Sequence, residues 1–122
     1  MTNEITLSKA EFKLDLESAG LNVLDYVPER ITPPIVIVNS ATPYLTPSSL
    51  GNEYILSLEL VVVASTATNK QATEKLDEAI ADVLTAMPRY ARMTRVGAPY
   101  EMQTNNASYL SANISVELEI TI

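Results

Sequence analysis

The sequence predicts an α+β fold with a mostly antiparallel (mixed) sheet of four to five strands and two helices packed on one face. Two long segments predict the sheet, because apolar residues occupy every second position along 53–65, and apolar and polar residues alternate along 110–122. A period of two puts successive side chains on opposite faces of a pleated strand. Each segment is roughly twice the usual strand length of about 5–6 residues. Two helical patterns and the element order α-β-β-α-β-β complete the prediction.

The first helix is predicted over residues 8–19. Ser8 and Glu11 match a capping box, in which two side chains bond the free backbone N–H groups at a helix start. Gly20 follows, where a helix commonly ends in a left-handed residue. The proline-containing stretch 25–34 then predicts extended or turn backbone, because residues before proline avoid the helical region.

A short strand and a long loop are predicted next. The β-branched run 35–38 is typical of a strand that is buried on both faces. Residues 39–52 are rich in turn-forming residues and include Pro43 and Pro47, so they predict a loop. The long strand 53–65 follows this loop.

The second helix is predicted from a capping box of Thr68 with Gln71 to about Met87, because Pro88 stops further extension. An apolar stripe at helical spacing supports it, made of Ala72, Leu76, Ala79, Ile80, Val83, Leu84 and Met87. Residues 93–96 predict a short strand, and 97–108 predict a second loop. If the strands before and after this helix are parallel, they form a right-handed crossover.

Composition predicts one domain over residues 1–122 and limits its chemistry. The chain has a formal net charge of -7 and no His, Cys or Trp. The acidic balance argues against a large nucleic-acid footprint, which needs a basic stripe. Without His and Cys, the chain lacks the commonest general base, the commonest zinc ligand and the strongest common nucleophile. We therefore expect no enzyme and no cofactor.

Targeting and membrane signals are not expected either. No apolar run approaches the roughly 20 residues that span a bilayer, and the first residues show no secretory pattern. Three carboxylates, Glu74, Glu78 and Asp82, share one face of the second helix. Calcium needs 6–8 oxygen ligands, usually from a loop, so this is interpreted as a solvated face and no metal is expected.

Two charged groups are candidates for function. One lies on the polar faces of the long strands and consists of Glu53, Glu59, Glu117 and Glu119. These residues either solvate an open antiparallel face or line a passage for something negatively charged. The other group is Arg89, Arg92 and Arg95, which either complement the C-terminus of the second helix or form a docking patch for an acidic partner.

The two predicted loops contain apolar residues, namely Tyr44, Leu45, Leu50, Tyr100 and Met102. Such residues either fold back onto the core or form arms that order against a neighbouring subunit. The long strands imply unpaired edges that a neighbour covers, which favours arms. Together with the three arginines, they are the predicted interface.

The pattern as a whole resembles the tail terminator proteins of long, flexible-tailed bacteriophages. The similarity rests on the capped first helix and on the segments YVPERITPPIVIVN, ATPYLTP, YILSLELVVVA, NKQATEKLDEAIADVLTAM and YLSANISVELEITI. It covers nearly the whole chain and lies in the order and spacing of elements, without an invariant motif.

The resemblance implies a structural virion protein without catalysis. Such proteins form a hexameric ring that caps the tail tube, stops its polymerisation and presents the surface for head joining. The expected partners are other copies of this chain, the major tail tube protein and a head–tail connector protein. The expected location is the tail or neck of the virion, after assembly in the host cytoplasm, with no membrane contact.

In that setting the acidic sheet face is expected to line the lumen, where it repels DNA phosphates so that DNA passes without specific binding. Two alternatives stay open. One is another ring protein of the phage neck, and the other is a small cytoplasmic module that binds a ligand or a partner.

Overall fold

The computed structural model describes residues 3–28, 30–48, 51–65, 70–103 and 107–122. Within these ranges the helices are α1 (Glu4–Ser18) and α2 (Lys70–Ala86). The strands are β1 (Val23–Leu24), β2 (Ile35–Pro47), β3 (Glu53–Ser65), β4 (Ala91–Val96), β5 (Tyr100–Gln103) and β6 (Ser108–Thr121). The predicted α+β class is confirmed.

One mixed sheet contains these strands in the order β1-β2-β3-β6-β4, and β5 also pairs with β6. The β1–β2 pair is parallel, and the other pairs are antiparallel. The sheet has six described strands instead of the predicted four to five, because β1 is only two residues long and β5 lies inside a predicted loop. At the centre, β3 and β6 pair along almost their full lengths.

Both helices pack on the same face of the sheet, as predicted. Phe12 of α1 and Leu76 and Val83 of α2 join the main core against the inward side chains of the central strands. On β6 these inward residues are Leu110, Ala112, Ile114, Val116, Leu118 and Ile120. Burying a large apolar side chain stabilises the fold by about 1.5–3 kcal/mol. The apolar positions of the alternating pattern are the ones that form the main core.

A smaller apolar cluster lies on the opposite, helix-free face. It consists of Ile31, Ile35, Ile37, Val61, Val63 and Tyr109. The Tyr109 hydroxyl donates to the Ile31 carbonyl at 3.3 Å, which fastens the segment before β2 over this face. Residues 35–38 are buried on both faces, as predicted, because they alternate between the two clusters.

Helix α1 begins earlier than predicted. Asn3 is its N-cap, with a side-chain oxygen that accepts from the Thr6 N–H at 2.8 Å. The proposed capping box was wrong, because Ser8 and Glu11 lie inside the helix. The predicted left-handed residue is confirmed at Gly20, which has φ of +93°.

Both predicted loops contain strand. Strand β2 continues to Pro47 and pairs with β3 on both sides of a register shift between Ser40 and Leu45. Prolines are tolerated where an N–H is not needed for pairing, so turn-forming residues do not end this strand. Likewise, β5 interrupts the predicted loop 97–108.

Helix α2 ends at Ala86, close to the predicted end. Thr68, the predicted cap, lies outside the described residues. Strands β3 and β4 are parallel to each other, because each is antiparallel to β6 between them. Helix α2 therefore connects two parallel strands, as the predicted crossover requires. None of the helices in the described ranges is long and apolar enough to cross a bilayer.

Candidate functional site

The sheet ends in two open edges, and these edges form the candidate site. On one side, β1 pairs only with Val36 and Ile37, so no described strand covers β2 beyond that point. On the other side, β6 is the one described strand that pairs with β4. An open edge presents backbone N–H and C=O groups that a further strand can bind. We call these regions the β2 edge and the β4 edge.

A groove of about 410 Å³ runs between α1 and the β2 edge. Its apolar lining includes Ile5 and Leu14 from the helix and Val38 from the strand. Lys9 bridges the two elements, because its Nζ donates to the Tyr44 hydroxyl at 3.2 Å and lies 5.5 Å from the centroid of that ring. The groove thus lies between α1 and the free edge of β2.

Charges of both signs line this groove, namely Lys9, Lys13, Glu17 and Asp25. Apolar side chains are exposed beside it. Leu14 is 62% exposed, and Leu7 lies two helical turns earlier on the same side of α1. Tyr26 and Val27, which follow Asp25, are also exposed. This end of the sheet is therefore an apolar surface with a charged rim.

The β4 edge is apolar and basic. Met93 and Val96 are 42% and 39% exposed, and Tyr90, just before the strand, is exposed as well. Arg92 and Arg95 are exposed on the same strand. The Tyr90 hydroxyl donates to the Asp15 carboxylate of α1. Burial and the neighbouring Asp15 raise the pKa of Tyr90, so its hydroxyl stays protonated at neutral pH.

Exposed apolar side chains concentrate at these two edges. Seven of the ten large apolar residues that are exposed in the described ranges lie on or beside them, namely Leu7, Leu14, Tyr26, Val27, Tyr90, Met93 and Val96. Scattered apolar residues are normal on a protein surface, whereas a concentration of them is typical of an interaction site. Sequence reasoning missed the residues beside the β2 edge, because only the packing of α1 shows which of its sides is uncovered.

A hydrogen-bonded chain crosses the helix-free face. The Tyr100 hydroxyl donates to Asn113 Oδ1 at 2.7 Å, and Asn113 Nδ2 donates to Glu59 Oε1 at 2.7 Å. Partial burial and then the charge of Glu59 raise the pKa of Tyr100. The chain links β5 through β6 to β3, so Tyr100 fastens the short outer strand to the centre of the sheet.

The predicted acidic residues do share the helix-free face. The strand registers place Glu53, Glu59, Glu117 and Glu119 together there. However, Arg92 lies directly opposite Glu117, and Arg95 lies opposite Ser115. Cross-strand partners share a face, so the carboxylates and these two arginines form one mixed surface. The predicted patch of a single sign was wrong.

The predicted interface residues occupy strands more than loops. Tyr44 and Leu45 lie in β2 and pack, partly buried, against the main core. Met102 lies in β5 and packs on the smaller cluster, and Tyr100 is held by Asn113. These residues are not free arms. Their contact with a partner stays a prediction.

The remaining interface candidates divide between the α2–β4 turn and β4. Helix α2 ends at Ala86, so Arg92 and Arg95 lie on β4 and do not complement the helix C-terminus. Arg89 lies in the turn between the two elements and is exposed. Leu50 lies outside the described residues.

The described residues show no cluster of metal-ligand side chains. They contain no group of three or more acidic residues placed to hold a metal ion. Glu74, Glu78 and Asp82 are all exposed on α2. Ser111 is fully buried, and within the described chain its hydroxyl has no hydrogen-bond partner.

No protein-family model matches this chain, and no curated protein matches it.

Proposed function

We propose that this chain is a structural subunit that assembles with its own copies into a ring, in the manner of a phage tail terminator. The ring caps the tail tube, stops its polymerisation and presents a surface for joining the head. One observation supports this proposal most strongly: the sheet ends in two open edges of different chemistry, where exposed apolar side chains concentrate.

Two different edges on one subunit favour a head-to-tail contact. A contact between unlike surfaces is heterologous, and repeating it produces either a closed ring or an open filament. A two-fold dimer needs a self-complementary surface instead. A cap for a tube requires the closed ring, so the proposed function matches the asymmetry of the sheet.

The helix-free face is proposed to line the lumen. Four carboxylates and the guanidinium groups of Arg92 and Arg95 give this face a negative balance. DNA binding requires basic residues that neutralise phosphates and release counterions. A face with this balance lets DNA pass without retaining it.

Tail-tube growth is the direct test of the proposal. Tube protein polymerised with the purified chain is expected to give short tubes with a ring at one end, seen by electron microscopy. A control variant is Glu78→Lys, which changes the charge at an exposed position of α2 and is expected to act like the unchanged chain. Tubes that grow to the same length with and without the chain, and that bear no ring, would contradict the proposal.

The lumen assignment has its own experiment. Glu53→Lys combined with Glu119→Lys is expected to leave the ring intact and to make it bind duplex DNA in a salt-dependent manner. These positions are preferred to Glu117, which lies opposite Arg92. If rings of the double variant do not bind duplex DNA at low salt, the proposal that the helix-free face lines the lumen is wrong.

The groove beside α1 favours a second candidate, a small module that binds a ligand or partner. Its volume of about 410 Å³ falls in the range of about 300–1,000 Å³ typical of ligand pockets. This alternative predicts a protein that stays monomeric in the presence of tube protein. A neck ring protein, the other alternative, predicts binding to the connector and not to the tube.

A further inference from the structure

We infer that β4 of one copy adds to the free part of β2 in the next copy as an antiparallel strand. The occupant of the β2 edge and its groove is thus a second copy of this chain. The inference rests on the proposed function, because it names the contact that closes the ring.

Strand direction supports this contact. From β2 across to β4, each neighbouring pair is antiparallel. The two edge strands therefore run in opposite directions. When copies stand side by side in a ring, without inversion, β4 of one copy lies antiparallel to β2 of the next. Pairing then extends the sheet across the boundary in the same sense as inside each subunit.

The free part of β2 also offers suitable backbone. Its first two pairing positions are used by β1, and Pro43 and Pro47 further along cannot donate an N–H. Residues 38–42 lie between these limits and contain no proline. Strand β4 contains no proline either. We therefore place the contact at residues 38–42.

Side chains match on the helix side of the extended sheet. Met93 and Val96 lie opposite the inward residues Val116 and Ile114, so they belong to the helix side. Strand addition brings them towards the groove, where the exposed Leu14 and the partly buried Ile5 present apolar surface. The contact covers side chains that are exposed in the single subunit.

Charges match on the helix-free side. Arg92 and Arg95 of the added strand come beside Asn39, and Glu59 lies directly across from Asn39 on β3. A guanidinium group binds a carboxylate well. A two-fold contact between two β4 strands would instead bring arginines of both copies together, and like charges across strands are destabilising. Charge thus favours the unlike pairing.

Cysteine crosslinking tests this contact, because the chain has no natural Cys. Val96→Cys and Ser40→Cys place thiols on the helix side of the two edges, since Ser40 pairs with the inward residue Leu58. Rings assembled on tube ends are treated with a flexible bismaleimide. The variant with both cysteines is expected to lose most of its monomer to a ladder of oligomers, while an equal mixture of the two single variants stops at dimers.

Two controls make the result specific. Each single-cysteine variant alone is expected to stay monomeric on a denaturing gel, and so is Glu78→Cys on the exposed side of α2. Dimers from Val96→Cys alone would show a two-fold β4 contact and overturn the inference. Rings in which the double variant stays uncrosslinked overturn it too, while leaving the proposed function in place. A chain that never assembles on tubes overturns both.

Discussion

The central strands and the outer strands of this sheet differ in what their sequences encode. Strand β6 alternates between apolar and polar residues, and β3 has an apolar residue at every second position. The two strands pair along almost their full lengths and bury their inward side chains. The β2–β3, β3–β6 and β4–β6 pairings each contain a register shift, but β2 beyond Val38 and all of β4 contain no buried side chain. The centre therefore supplies most of the core, and the edges carry the contacts that we propose with other copies of the chain.

A matched pair of truncations tests this difference most strongly. Ile114 is fully buried on β6, and Val96 lies opposite it on β4. Ile114→Ala is expected to lower the free energy of unfolding by about 2–5 kcal/mol, because it leaves a cavity in the core. Val96→Ala is expected to cost less than about 1 kcal/mol. Urea denaturation measures the free energy of unfolding of both variants. Equal losses of this free energy would contradict the difference between the central and the outer strands.

The hydrogen-bonded chain that joins outer to central strands gives a smaller effect. Asn113→Ala removes the hydrogen bonds with Tyr100 and Glu59, and each is worth about 0.5–1.5 kcal/mol. Tyr100→Phe removes only the first and is expected to cost about half as much. If the two variants are equally stable by urea denaturation, the chain does not act as a link.

Removal of the buried Ser111 hydroxyl, which has no hydrogen-bond partner within the described chain, is expected to raise the free energy of unfolding. A buried polar group without a hydrogen bond costs about 1–3 kcal/mol. Ser111→Ala removes that group at the cost of a small void, so a gain of up to about 1 kcal/mol is expected. Ser115→Ala, at a half-buried site on the same strand, is the control. A loss of stability on removing the Ser111 hydroxyl would mean that it has a partner.

Alkaline pH gives the smallest expected effect. The pKa values of Tyr90 and Tyr100 are raised in the folded chain, so folding favours their protonated forms. The stability that this contributes is fully present below the unfolded pKa of about 10 and is lost as pH rises above it. The thermal unfolding temperature of the variant with both residues changed to Phe is expected to fall less between about pH 9 and about pH 11 than that of the unchanged chain. These two pH values lie roughly one unit on each side of the unfolded pKa. Parallel pH profiles would contradict this.

The central strands could be predicted from the sequence because one periodicity determines both their faces. Leu56, Leu58 and Leu60 alternate with polar residues, and each is fully buried. The second half of β2 could not be predicted, since Pro43 and Pro47 are typical of loops and only pairing with β3 keeps that segment in the sheet. In this chain, the local sequence pattern predicts which residues are buried, but it does not predict which segments pair at the edge of the sheet.

The candidate site was predicted only in part, for a related reason. The clustered charges predict an interface at Arg92 and Arg95, and this stays a prediction; their position on the same face as the carboxylates depends on the register of β4. The sequence does not predict that Leu14 is exposed, because an apolar residue on a helix is usually assigned to the core. Its exposure follows from where α1 lies on the sheet.

Hydrogen–deuterium exchange of the chain, free and assembled on tube ends, tests the central claim most directly. The account predicts that assembly slows amide exchange at residues 38–42 and 91–96 and leaves the paired centre of β3 and β6 unchanged. Assembled rings in which both edges exchange as fast as in the free chain, with new protection on α2 instead, would contradict it.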